Sequence, residues 1–313
     1  MIVFAAVLGL AFGGAALAGA AIDPTDDEAT MAGAGHGEGH GAPAKGGHGE
    51  DGDTKSAMAE GGAHAGHGGG AAQAASGLAA SDGGYGFEIG RSFFTAGKTA
   101  PFSFRITDDR GRVVRDEYEL EHDKQLHLIV VRRDTAVFEH VHPRKGQDGT
   151  WSVDLDLREP GVYRAYADFK TGGKQRTLAT DLFVPGDFRP NRLPAPASVD
   201  QAVDDAGKPA GDLDVTLKAP DVRAGRETPL SFAVSRDGRP FERLEPYLGA
   251  KGHLVALREG DLAYLHVHPR EGGKANEVPF MATFPTAGRY RLFLQFKIGG
   301  EVRTVAYTLE VSR

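Results

Sequence analysis

The chain has 313 residues, 40% of them apolar and 25% charged, with a formal net charge of -7 and no Cys. This length suits two domains of ordinary size. The missing Cys excludes disulfides, thiolate zinc knuckles, a Cys nucleophile and a blue-copper centre, and the acidity argues against a nucleic-acid partner.

The acidity is local. Residues 23–84 hold ten acids against two bases, whereas 85–313 hold 33 acids against 34 bases. In front of the acidic stretch, residues 1–22 carry no charge and are rich in Ala, Leu and Gly. Residues 2–22 as a helix would span about 31 Å, close to the hydrocarbon thickness of a bilayer. The run reads as a membrane anchor or as a secretory signal, with Ala16-Leu17-Ala18 as a small-x-small cleavage site. Either reading places the rest at the extracytoplasmic face of the cell membrane, or outside the cell if the segment is cleaved.

Residues 23–84 contain 18 Gly, 15 Ala and no aromatic residue. Such a stretch buries too little surface to offset its ordering entropy, which predicts a disordered linker. It carries His36, His40, His48, His64 and His67 beside carboxylates, a pattern suited to weak capture of divalent metal.

The remainder of the chain repeats itself once. Glu139-His140-Val141-His142-Pro143-Arg144 returns as Leu265-His266-Val267-His268-Pro269-Arg270, and Gly161-Val162-Tyr163-Arg164 as Gly288-Arg289-Tyr290-Arg291. The repeat predicts homologous domains at 85–187 and 211–313, joined by a Pro-rich linker at 188–210. Within each, short alternating runs such as Phe102–Thr107, Leu126–Val131 and Trp151–Leu157 alternate with Gly, Asp and Pro turns. The expected fold is all-β: two tandem immunoglobulin-like β-sandwiches.

A hairpin turning at Arg133-Asp134 would set His127 opposite His140, with His142 on the same face. A turn at Glu259-Gly260 would do the same for His253, His266 and His268. Three imidazoles per domain fit zinc or copper with an open fourth position. The same face carries Ile129, Val131 and Phe138, and in the second repeat Val255, Leu257 and Tyr264, which predicts that the histidines lie on the core side at the sandwich rim. Asp168 aligns with Gln295, Asp154 with Met281 and Glu139 with Leu265, while His122 has no counterpart; these read as surface or strand filler. No repeated Asp or Glu is available as a general base, so an enzyme is not expected, although an open His-ligated site keeps a metalloenzyme in view.

The segments HLIVVRRD…FEHVHP, GVYRAYADF and EPYLGAKGHLVALREGDLAYLHVHP resemble a group of uncharacterised bacterial membrane-anchored or secreted proteins, often labelled secreted or heavy-metal-associated. The resemblance spans nearly the whole chain and implies an extracytoplasmic setting. The function expected is a membrane-tethered, non-enzymatic binding protein for a divalent ion, copper or zinc, with one three-His site per domain. The alternative is an immunoglobulin-like interaction module with structural histidines.

Overall fold

The computed structural model describes residues 76–203 and 209–313. The apolar segment 2–22 and the five tail histidines lie outside the described residues. Among the described residues no helix is long and apolar enough to cross a membrane.

The first domain is a two-sheet sandwich. One sheet contains β1 (Tyr85–Ile89), β2 (Ala100–Thr107) and β5 (Trp151–Leu155), in that order, with short strands at both edges. The other runs β7 (Lys174–Val184), β6 (Gly161–Thr171), β3 (Leu126–Arg132), β4 (Phe138–Val141). Phe102, Phe104, Ile106, Leu128, Val130 and Phe169 fill the space between them. Alternation explains this core: Leu126, Leu128 and Val130 share one face of β3.

The second domain repeats the plan with β8 (Val199–Val203), β9 (Pro209–Lys218), β10 (Glu227–Arg236), β11 (Gly252–Arg258), β12 (Tyr264–Leu265), β13 (Glu277–Thr283), β14 (Gly288–Ile298) and β15 (Glu301–Val311). Here β8 pairs with both β9 and β15, so the strands form one continuous sheet. In both domains a tyrosine hydroxyl bonds the carbonyl four residues upstream: Tyr163 to Glu159 at 2.7 Å and Tyr290 to Thr286 at 3.0 Å. This is the corner motif of immunoglobulin-like sandwiches.

Two expected boundaries move. The stretch 188–210 contains strand β8, whose pairing through Gln201–Asp214 and Val203–Thr304 makes it part of the second domain. Of the predicted linker 23–84, the described residues 76–84 are ordered. Tyr264 N–H donates to the Ser76 carbonyl at 2.9 Å, and Gly77 N–H to the Thr177 carbonyl at 3.1 Å. Sparse apolar content concealed this order because backbone bonds, rather than side-chain burial, hold the segment.

The larger correction concerns the histidine-bearing face. It does not point into the sandwich. Every residue of β3 is buried, so both of its faces are covered. The face carrying Ile129 and Val131 packs against Val255, Leu257, Leu262 and Phe293 of the second domain. Phe138 stacks on Phe293 with ring centroids 4.2 Å apart, and the repeat-related Tyr264 meets Tyr166 at 5.5 Å. The Tyr166 hydroxyl also donates to the Leu262 carbonyl at 2.7 Å. Equivalent surfaces therefore meet across a pseudo-two-fold axis, as in a symmetric dimer built within one chain.

Candidate metal centre

The hairpins place the histidines with a register different from the expected one. Ile129 lies opposite His140 and Leu128 opposite Val141, and in the second domain Ala256 lies opposite Leu265. Four residues, Arg133–Ala136 and Glu259–Leu262, make the loops, with Thr135 and Leu262 at φ 61° and 58°. The register is thus two residues from the predicted one. A shift of two keeps every side chain on its face, so the histidines still converge.

They converge at the domain interface. Ring nitrogens of His127, His140 and His253 lie within 4.8 Å of one another, the one such group among the described residues. His127 and His253, equivalent in the repeat, stack at 5.3 Å and 9° across the axis. His142 adds a ring 5.1 Å from His127 and 4.8 Å from His140. His266 and His268 stand outside the group of three, 5.7 Å from each other. The expectation of one three-His site in each domain therefore gives way to a single cluster, because the faces that carry the two triplets are packed together.

With the Gln295 amide oxygen toward His140, the hydrogen bonds assign which nitrogens are open. His140 Nδ1 lies 2.7 Å from Oε1 of Gln295, which accepts its proton. His127 Nε2 lies 3.2 Å from the Glu121 carbonyl, which can only accept. With protons on those outer nitrogens, the inner pair, His127 Nδ1 and His140 Nε2, presents two lone pairs to each other at 3.0 Å. His253 Nε2 and His142 Nε2 are buried with no hydrogen-bond partner. Such an arrangement could hold a cation. Two nitrogens on a tetrahedral zinc ion at about 2.0–2.1 Å stand about 3.4 Å apart, so the inner pair needs to part by only a few tenths of an ångström.

Burial favours the neutral form of most of these imidazoles. Burial, then the neighbouring imidazoles, holds His140 and His253 well below the ordinary imidazole pKa. Burial likewise lowers His127 and His122, and takes His142 down to about 3. His266 behaves oppositely. Burial disfavours its charge, but Asp168 and Glu121 outweigh burial and raise its pKa.

Several residues that read as filler belong to the site. Asp168 and Gln295 sit directly across the ladder from His127 and His253. Buried Asp168 accepts from Thr177 Oγ1 at 2.8 Å and Gln175 Nε2 at 3.0 Å. His122 occupies a tight turn, Glu121–Lys124, at φ 50°, with its ring 5.5 Å from His253. A ladder position that differs between repeats beside a shared His was the available signal for Asp168 and Gln295. Glu121 and Tyr247, whose hydroxyl donates to Gln295 at 3.3 Å, offered none.

Fold and site together define a tandem immunoglobulin-like protein with an imidazole cluster between its domains. The chain belongs to the family described as Domain of unknown function (DUF8832), matched twice, at residues 79–186 and 208–313. No match was found among curated proteins. Among solved structures, a chimeric titin Z1Z2-Z1Z2 tandem is similar at 12% identity over 72% of this chain and 98% of that one, with a TM-score of 0.18. The FdeC adhesin of Escherichia coli is similar at 11% identity over 73% of this chain and 64% of that one, with a TM-score of 0.22. A trypsin-activated alpha-2-macroglobulin from Escherichia coli is similar at 14% identity over 73% of this chain and 15% of that one, with a TM-score of 0.24. At these scores the likenesses carry no argument about function.

Proposed function

We propose that this protein is a non-enzymatic, extracytoplasmic metal-binding protein whose interdomain cluster holds one divalent ion, copper or zinc. The observation that carries the reading is the 3.0 Å approach of His127 Nδ1 to His140 Nε2, two lone pairs when Gln295 and the Glu121 carbonyl accept from the outer nitrogens, beside the unpartnered His253 Nε2. Neutral imidazoles suit copper and zinc, and the absence of thiolate disfavours softer-metal selectivity. Segment 2–22 would tether the protein to a membrane, and the tail histidines would gather ions weakly before the cluster takes them. Metal content after equilibration with Cu(II) or Zn(II) tests this. His253→Ala should lose the tightly held ion; equal content in the variant and the wild type refutes the reading.

A second reading, an interaction module with structural histidines, draws on the same hydrogen bonds. Were the Gln295 amide turned, its Nε2 could donate to His140 and a relay could run through His127 to the Glu121 carbonyl with no ion. His253→Ala would then lower the melting temperature in equal measure with and without metal.

A further inference from the structure

We infer that the cluster has a second cation position, built from mixed oxygen and nitrogen donors, between Glu121 and Nε2 of His266. The inference rests on reading the cluster as a metal centre and concerns its other half.

The pseudo-two-fold axis pairs His140 with His266, Gln295 with Asp168, and the turn at Glu121-His122 with that at Tyr247-Leu248. In the first half, Gln295 holds Nδ1 of His140 and directs Nε2 at another ligand, His127. In the second half, Asp168 Oδ2 lies 3.8 Å from Nδ1 of His266, and Glu121 Oε2 lies 3.9 Å from its Nε2. The imidazole stands between two carboxylates in the order Asp168, His266, Glu121. This is the order in which a carboxylate orients a His while the far nitrogen shares a metal with another donor. Neither separation is a hydrogen bond in the metal-free protein, and the 3.9 Å gap between Glu121 and His266 is one that two donors bound to one ion can span.

The differences between the halves are of one kind. Where the first half has Gln295, Tyr247 and Leu248, the second has Asp168, Glu121 and His122. Each change introduces a carboxylate or an imidazole. His122, on a backbone in the left-handed region, borders both positions, its ring 6.1 Å from His127 and 5.5 Å from His253 and its backbone adjoining Glu121. Asp168 is fixed by Thr177 and Gln175, and Oε1 of Gln175 is itself buried without a partner. Repeat divergence thus leaves a neutral, all-nitrogen position on one side of the axis and an anionic one on the other. The anionic position suits zinc, cobalt or manganese.

The test uses the full chain in detergent, with His36, His40, His48, His64 and His67 replaced by Ala, titrated with Co(II) and followed by visible absorption. The wild-type cluster should take two equivalents with distinct ligand-field bands. Glu121→Gln, nearly isosteric, should lose one equivalent. His253→Ala should lose the other, and His122→Ala should weaken the Glu121-dependent equivalent about tenfold or more. Two equivalents persisting in Glu121→Gln would overturn the inference. A single equivalent, lost in His253→Ala and untouched in Glu121→Gln, would overturn the second position and leave the three-imidazole centre standing. No Co(II) bound would overturn both.

Discussion

Replacing Gln295 by Leu separates the metal reading from the structural one. The side chain keeps nearly the same volume, but the acceptor 2.7 Å from His140 Nδ1 disappears. Removing the outer partner of a metal-bound His weakens affinity about 10–100-fold, or about 1.4–2.7 kcal/mol. Leaving the buried Nδ1–H unpaired costs about 1–3 kcal/mol in the metal-free protein. For a folded unit of this size, that lowers the melting temperature by about 2–12 °C, at 2–4 °C per kcal/mol. Competition against a chromophoric chelator reads the first quantity, and thermal unfolding with and without metal reads the second. Loss of affinity beyond the shared loss of stability is the expected result. An unchanged affinity alongside a lowered melting temperature would refute the role of Gln295 as an orienting partner, and with it the tautomer argument.

Three further outcomes are expected. Five cluster histidines have pKa values lowered by burial, so they are neutral when folded and gain protons when unfolded. Stability present above about pH 6.5 therefore falls as pH drops, by up to about 1.4 kcal/mol per pH unit for each titrating His. His266 acts with the opposite sign, its contribution being lost as pH rises through its raised pKa, so melts at pH 7.5 and 5.0 should show net acid destabilisation, partly reversed in His140→Phe. Phe293→Ala removes a ring stacked at 4.2 Å on Phe138 and should cost about 3–5 kcal/mol, with a larger radius of gyration in small-angle scattering if the domains part. Gly77→Ala places a Cβ 2.8 Å from the Tyr166 ring at φ +68°. The strain should loosen the neighbouring Ser76 carbonyl, so the Tyr264 amide bonded to it should exchange at least tenfold faster with deuterium.

Much of this architecture was legible in the sequence, for physical reasons. Duplication exposes itself by repetition, and period-two alternation keeps His127, His140 and His142 on one face in the expected register and in any register an even number of residues from it. The register was not legible. Its loops place Thr135 and Leu262 at positive φ, a conformation neither residue advertises. Nor was the direction of the face. Leu126, Leu128 and Val130 on one side of β3 are as apolar as Ile129 and Val131 on the other, and alternation alone does not say which side meets its own sheet and which another domain. The merging of the two triplets follows from that single ambiguity. Asp168 and Gln295 read as filler because they differ between repeats, yet their difference is what makes the two halves chemically unlike.

The short segment from Ser76 to Ala80 also determines how the molecule meets mechanical load. Its backbone bonds reach both domains: Ser76 to Tyr264 in the second, Gly77 and Ala79 to Thr177 and Ala179 in the first. Among the described residues, traction from the N-terminal side meets Ser76 first, whose carbonyl and hydroxyl grip Tyr264 two residues from His266. A pull is therefore felt at the seam between the domains before it reaches either sandwich. In a tethered protein, tension and the state of the imidazole cluster would share one short stretch of backbone.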